Sequence, residues 1–177
     1  VFFISFEGLG GTAFETEVEF CKTICELLYD AIRYDEVPQI DEAVKAIIKE
    51  NIEQNKIEDM MSLSATLSEI CKNSVAPVVL IIDEVDQASN YKVFIDFLGM
   101  LRSKFLKRNT RPTFHSVILA GVYDIKNLKH RIREDREHQM NSPWNIAVDF
   151  NIEMSFSVSD IQTCLLYTSD AADDLIG

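Results

Sequence analysis

Hydrophobic residues along the chain follow two different patterns, and these patterns predict alternating strands and helices. Apolar residues that return every three or four positions indicate helices, and short continuous apolar runs indicate strands. The predicted strands cover residues 1–6, 77–83, 115–122 and 145–150, and the predicted helices cover 14–33, 41–52, 63–72, 90–107 and a short basic stretch after Asp124. Strands that alternate with helices indicate an α/β fold with a mostly parallel sheet.

A glycine-rich turn, GLGGTA, follows the first predicted strand. With Ala13 in the last position, Gly8 and Gly10 satisfy the dinucleotide-binding pattern G-x-G-x-x-G/A, and Asp30 follows at the required spacing of about 20 residues. A dinucleotide-binding unit also needs a second parallel strand after one helix, whereas the periodicity from 14 to 72 is helical throughout. We therefore expect a strand-to-helix turn in which the glycines supply permissive backbone angles, with a redox enzyme as a remote alternative.

The start of the first helix carries a recognisable signal. Thr12 and Glu15 match the T-x-x-E capping box, in which each side chain bonds the backbone N–H of the other end of the turn. This spacing predicts that the helix begins directly after the glycines. Within the helix, Cys21 and Cys25 lie one turn apart and are expected to fill the core, and no C-x-x-C pair indicates a zinc site.

Composition limits the possible partners. The chain has 177 residues, of which 47% are hydrophobic, so it can form one ordinary domain with a substantial core. No apolar run approaches the ~20 residues of a membrane span, and the first residues lack the features of a signal peptide, so a cytoplasmic protein without membrane contact is expected. The net charge of −12 argues against broad affinity for nucleic acid.

The positive charge is nevertheless concentrated in one part of the chain. Ten of the 17 Lys and Arg residues fall between Arg102 and Arg136. Such a run is typical of solvated helix faces, and it is also compatible with a basic surface for an anionic partner. A non-catalytic interaction module that binds protein or nucleic acid through residues 102–136 is therefore kept as an alternative function.

The strand PVVLIID ends in two adjacent carboxylates, Asp83 and Glu84. Ligands of open parallel sheets bind beyond the carboxyl ends of the strands. A site that hydrolyses a nucleotide needs one carboxylate to orient Mg²⁺, usually through water, and a second to activate the water that attacks the γ-phosphate. The sequence therefore predicts Asp83 as the magnesium acid and Glu84 as the catalytic base, with two exposed acids that follow a buried strand by chance as the alternative.

Further candidates follow the next predicted strand. Strands joined by one helical crossover tend to be neighbours, so Tyr123 or Asp124 would lie beside Asp83 and could sense the nucleotide. Asp124 is equally suited to cap the following helix. Arg131 and Arg133 could offer guanidinium groups to phosphates, or could simply complement the negative end of the helix dipole.

Four blocks resemble the bacterial AAA-like ATPases of the P-loop superfamily, which are related to the STAND signalling ATPases. The blocks are VVLIIDEVDQASN, FLGMLR, FHSVILAGVYDIKNLKHRIR and NSPWNIAVDFNIEMSF, and the resemblance covers nearly everything from Val1 to Thr163. It implies an ATPase that uses ATP and Mg²⁺, with a three-layer sheet of order 5-1-4-3-2 and helices on both faces. Asp83 and Glu84 would form Walker B, and Tyr123, Asp124 and Arg133 would be candidate sensors.

The resemblance also implies where the chain departs from that family. The four predicted strands would be strands 2 to 5, so that strand 1 and the Walker A loop, G-x-x-x-x-G-K-[ST], are missing; no glycine here is followed by Lys and Ser or Thr. The chain starts in mid-strand, and we therefore expect a truncated domain over residues 1–163 whose nucleotide binding and ATPase activity would depend on its parent protein. The resemblance is compatible with a parent that is a homo-oligomer or that carries an effector domain.

The last residues, CLLYTSDAADDLIG, differ from the rest of the chain. Residues 164–177 resemble the translated read-through of a sequencing-library adapter, with a genuine helix that has an acidic end as the alternative. We therefore expect the native domain to end before Cys164.

Overall fold

The computed structural model describes residues 1–34, 42–121, 148, 157–159 and 161–162. The chain divides into two compact units, Val1–Ile146 and Ala147–Gly177, and every secondary-structure element named below belongs to the first. The strands are β1 (Phe2–Ser5), β2 (Val79–Asp83) and β3 (Ser116–Leu119). The α-helices are α1 (Glu17–Tyr34), α2 (Glu42–Glu53), α3 (Met60–Asn73) and α4 (Lys92–Leu106), and two 3₁₀ turns, Gly11–Phe14 and Val85–Ala88, precede α1 and α4.

The three strands form a parallel sheet in the order β1-β2-β3, so β2 is the central strand of the described sheet. Ile82 of β2 is in register with Ile4 on one side and with Leu119 on the other. The α/β class and the parallel pairing predicted from the sequence are thereby confirmed for these strands. The predicted last strand, at 145–150, falls almost entirely outside the described residues.

One face of the sheet carries the core. Side chains at alternate positions of β1 and β2 are almost fully buried there, among them Ile4 and Ile82. Phe6, just beyond β1, has its ring centroid 6.3 Å from that of Phe20 in α1 and 5.9 Å from that of Phe94 in α4. Helices α1 and α4 therefore pack on the same face, as right-handed crossovers that proceed in one direction across a sheet require.

The opposite face of the sheet is less covered. Phe3, Ile81 and Ile118 are partners in register and form a row across the three strands. Phe3 retains 47% and Ile118 retains 40% of their accessible surface, whereas Ile81 is half-buried. The two faces of the sheet thus differ sharply in burial.

Helix α1 begins later than the sequence predicts. The predicted capping box of Thr12 and Glu15 is wrong: Glu15 donates its N–H to the backbone carbonyl of Thr12 at 3.3 Å, inside a 3₁₀ turn. The hydroxyl of Thr16 instead accepts the N–H of Glu19 at 3.2 Å, and α1 follows. The glycines therefore lead into a tight turn first, and the helix starts at the second T-x-x-E of the segment.

Helix α3 has a complete capping box. The Asp59 side chain accepts the N–H of Ser62 at 2.7 Å, and the Ser62 hydroxyl accepts the N–H of Asp59 at 3.0 Å. The N–H of Met60 donates to the Glu17 carboxylate at 2.7 Å, which ties the start of α3 to the start of α1. The helix consequently begins three residues earlier than its apolar periodicity predicts.

Candidate functional site

The carboxyl edge of the sheet, where β1, β2 and β3 end, brings the two predicted catalytic carboxylates to the central strand. Asp83 is the last residue of β2 and is in register with Ser5, the last residue of β1. The N–H of Phe6 donates to the Asp83 carbonyl at 3.1 Å, so the backbone pairing continues past the strand end. Asp83 is half-buried between two neighbouring strands, in the position where parallel sheets bind ligands.

Glu84 has a backbone conformation that is unusual for its residue type. Its φ of 52° and ψ of 38° lie in the left-handed region, which residues other than Gly, Asn and Asp rarely adopt. The conformation ends β2 abruptly and starts the second 3₁₀ turn. Because non-glycine residues in this region are strained and cluster at functional sites, Glu84 stands out among the residues of this edge.

The strained turn is held on both sides. The Asp83 Oδ1 atom accepts the N–H of Glu84 at 2.9 Å, which fixes the orientation of that carboxylate. The next residue, Val85, is fully buried, and its N–H donates to the carbonyl of Ala120 at 3.1 Å. Packing of Val85 and the bond to the end of β3 therefore offset the backbone strain at Glu84.

Two further residues contribute to this edge that the sequence did not single out. A Cβ atom on Gly121 would lie 2.6 Å from Asp86 Oδ2 and 3.1 Å from Cγ2 of Val85, so a larger residue there would require Asp86 to move and Val85 to shift. Asp86 adds a third carboxylate within the same turn. Glycine at the end of a strand does indicate close backbone approach, and this signal could have identified Gly121.

The glycine-rich turn after β1 lies close to Tyr91, the residue before α4. Gly8 has a φ of +75°, and a Cβ atom on Gly11 would lie 3.2 Å from the hydroxyl of Tyr91. Asp30 lies in α1, and within residues 17–34 and 42–78 no strand separates β1 from β2. This observation agrees with the prediction that the glycines form a strand-to-helix turn rather than a dinucleotide site.

Tyr123, Asp124, Arg131 and Arg133 lie outside the described residues. Their roles as sensors or phosphate ligands therefore stay predictions.

The described part of the chain contains no group of three or more His, Cys, Asp or Glu side chains arranged to hold a metal ion. Mg²⁺ commonly binds through one or two carboxylates together with phosphate oxygens and water, so Asp83 and Glu84 supply a suitable donor set only with a phosphate ligand. Among the described helices, none is long and apolar enough to cross a membrane.

The cysteines of α1 are structural. Cys21 and Cys25 are buried, which confirms the prediction that they fill the core. Burial is the main cause that raises the pKa of each thiol to about 12, so both remain protonated and unreactive at neutral pH. They have no role at the carboxyl edge.

No family model matches the chain, and neither a curated protein nor a solved structure matches it. The function is therefore inferred from the geometry of the carboxyl edge and from the sequence patterns of the strands that form it.

Proposed function

We propose that this chain is the Walker B part of an ATP-binding and ATP-hydrolysing domain of the AAA-like, STAND-related P-loop class. The observation that carries the proposal is Glu84, a half-buried glutamate in left-handed conformation at the carboxyl end of the central strand. Backbone strain of this kind is retained where function requires a side chain to be held in a fixed position.

The two carboxylates take different roles in this proposal. Asp83 orients Mg²⁺ through a water molecule, and the N–H of Glu84 on its Oδ1 atom holds the carboxylate in place. Glu84 accepts a proton from the water that attacks the γ-phosphate. ATP with Mg²⁺ is the proposed substrate, and in a STAND-like protein the nucleotide would act as a conformational switch.

The order of strands supports the proposal. A sheet of order 5-1-4-3-2 contains three consecutive parallel strands, and β3-β2-β1 would correspond to its 4-3-2 part. In that arrangement, strand 1 would pair with the edge of β3 that faces away from β2, and its phosphate loop would follow at the carboxyl edge of the sheet. The sequence contains no G-K-[ST] tripeptide, so the phosphate loop would have to lie on a segment outside this chain.

The test is a Glu84→Gln variant in a longer chain that also carries the phosphate loop. The amide keeps the size of the side chain but cannot act as a base, so ATP binding should persist while hydrolysis falls roughly 100-fold or more. Asp83→Asn should instead weaken the Mg²⁺ dependence of ATP binding. Glu69→Gln, at an exposed position of α3, is the matched control and should leave both measurements unchanged.

Turnover by Glu84→Gln at the wild-type rate would remove Glu84 from the mechanism. Absence of Mg²⁺-dependent ATP binding in the unmodified longer chain would overturn the proposed function as a whole.

One observation favours the alternative interaction module. Residues 102–111 contain five Lys and Arg residues and no Asp or Glu. Binding of an acidic protein or a nucleic acid that weakens with salt and is unaffected by Asp83→Ala would favour that module over the ATPase.

A further inference from the structure

The chain that leaves β3 is bonded to β2 and its following turn on both sides of the two predicted catalytic carboxylates. Ala120 is the first residue after β3. Its N–H donates to the Ile82 carbonyl at 2.9 Å, and its carbonyl accepts the N–H of Val85 at 3.1 Å. Both carboxylates lie between Ile82 and Val85 in the sequence, so a single residue of the β3 exit fixes the start and the end of the segment that carries them.

The next residue, Gly121, lies against the turn. A Cβ atom there would be 2.6 Å from Oδ2 and 3.1 Å from Cγ of Asp86, and 3.1 Å from Cγ2 of Val85. These separations are shorter than the 3.5–4.0 Å or so at which nonbonded carbon atoms attract each other. Among the described glycines, Gly8 has a positive φ and Gly121 does not, so at Gly121 the missing side chain is what matters. An added methyl group would press on the two residues that directly follow Glu84.

The direction of the Glu84 carboxylate depends on the backbone of this turn. Its left-handed φ and ψ are unfavourable for glutamate, so its surroundings must impose them. Within the described residues, the Glu84 side chain makes no hydrogen bond that caps the turn, whereas its N–H donates to Asp83 Oδ1 and its carbonyl accepts the N–H of Gln87 at 3.1 Å. Because the backbone angles of a residue determine where its side chain points, a shift of the turn would redirect the carboxylate.

We propose that Gly121 is a positioning residue for Glu84. By leaving room for Val85 and Asp86, it lets the exit of β3 hold the turn in the conformation that fixes the direction of the Glu84 carboxylate. This inference rests on the proposed function, in which Glu84 activates the attacking water. A general base must lie within hydrogen-bond reach of that water, so a small displacement of the turn slows the chemical step without weakening nucleotide binding.

The first experiment follows amide hydrogen exchange in this chain and in Gly121→Ala. The Val85 N–H should exchange roughly fivefold faster or more, the factor expected for loss of one ordinary hydrogen bond. The reference is the N–H of His115, which donates to the Val78 carbonyl at 2.8 Å at the other end of β3. General destabilisation would accelerate both amides equally, and an unchanged ratio between them overturns the proposal. Gly99→Ala, in α4, is the matched control, because an added Cβ atom there meets nothing within 4 Å.

The second experiment measures ATP turnover in the longer chain that also carries the phosphate loop. In Gly121→Ala, kcat should fall roughly tenfold or more, as expected for a misplaced catalytic group, while KM for ATP stays within about twofold. In a Glu84→Gln background, where the base is already absent, the same change should alter kcat by less than about twofold. Gly99→Ala should turn over ATP like the wild type.

The two backgrounds separate positioning from a general effect on folding. A loss of kcat by the same factor in both backgrounds would refute the positioning role of Gly121, and it would leave the proposed role of Glu84 standing, since Glu84→Gln alone tests that role. A rise in KM with unchanged kcat would refute it as well. Absence of ATP hydrolysis in the unmodified longer chain would overturn this inference together with the proposed function.

The combined variant Gly121→Ala/Asp86→Ala covers the case in which Gly121→Ala does not fold. Removal of the Asp86 carboxylate relieves two of the three close contacts, and the contact with Val85 stays. Relative to His115, the Val85 N–H of the combined variant should still exchange faster than in Asp86→Ala alone. The same ratio in these two variants would contradict the proposal.

Discussion

The two edges of the sheet differ in how the backbone and the charges are arranged. At the carboxyl edge, Glu84 adopts a left-handed conformation, and the chain beyond β3 approaches the turn so closely that a Cβ atom at position 121 would lie 2.6 Å from Asp86 Oδ2. At the amino edge, where β2 and β3 begin and α3 ends, α4 ends in a regular series of turn hydrogen bonds, and Arg108 caps a carbonyl. The carboxyl edge thus contains a backbone conformation that is unfavourable for its residue type, whereas the helix end at the amino edge has ordinary backbone geometry.

This difference shows where the fold contains a locally unfavourable conformation. Natural chains follow local preferences nearly everywhere and depart from them mainly at functional or strained sites. The carboxyl edge holds the strained residue and the carboxylates, whereas the amino edge holds bases on relaxed helix ends. Substitutions at the carboxyl edge should therefore change stability more than exposed substitutions on the surface of α4.

The largest effect on stability is expected for Gly121→Ala. The added methyl group would lie 3.1 Å from Cγ2 of the fully buried Val85 and would force the Asp86 carboxylate to move. The free energy of unfolding should fall by about 1–3 kcal/mol, measured by urea denaturation. Gly99→Ala, in α4 where an added Cβ meets nothing within 4 Å, should raise it by about 0.5–1 kcal/mol. Equal changes in the two variants would contradict the close approach at Gly121.

Glu84→Gly should increase stability while removing the proposed base. Glycine adopts the left-handed conformation without strain, and the backbone N–H that bonds Asp83 is kept, so a gain of about 1 kcal/mol is expected in the same assay. Asn55 also has a positive φ, of 48°, and Asn55→Gly should gain less, because asparagine tolerates this region better. A loss of stability in Glu84→Gly would mean that the side chain itself supports the turn.

The amino edge should show a dependence on alkaline pH. Burial is the main cause that raises the pKa of Cys71 from 9.0 to about 11, against an opposing influence of Lys104. The folded thiol keeps its proton where the unfolded one has lost it, so this contribution to stability is complete below about pH 9 and is lost as the pH rises through about 11. The urea midpoint of Cys71→Ala should therefore fall less steeply over this range than that of the wild type, while Cys21 and Cys25 contribute equally in both chains.

The smallest effect is expected for Lys92→Gln. Its ion pair with Asp96 is exposed on the surface of α4, and pairs of this kind contribute about 0–1 kcal/mol. A urea midpoint that barely moves would set the scale of an ordinary surface change, against which the other variants are judged. A large loss would mean that surface charge on α4 contributes more to the fold than its geometry indicates.

Much of the fold could be predicted from the sequence because the apolar patterns are strong. The aliphatic run before Asp83 predicted the central strand of the described sheet, and three- and four-residue spacing predicted α1 to α4 within a few residues. The start of α1 was misplaced because Thr12 and Thr16 both open a T-x-x-E pattern, and only the tight glycine turn decides between them.

The candidate site could be predicted only in part. Asp83 and Glu84 follow from the strand pattern, but the left-handed conformation of Glu84 does not, because the residues that normally indicate positive φ are glycine and asparagine. The contact of Gly121 with the turn and the hydrogen bond from Lys104 to Ser68 join segments that are 35 or more residues apart in the sequence. Such pairings depend on how helices pack over the sheet, and local patterns carry no information about them.

The parallel pairing of β1 with β2 also has a consequence for synthesis on the ribosome. Phe2 pairs with Leu80, so β1 has no strand to join until the whole of α1, α2 and α3 has been translated. At typical elongation rates of about 5–20 residues per second, this interval lasts roughly 4–16 s. During that time the apolar segment FFIS is a natural target for chaperones that shield nascent chains.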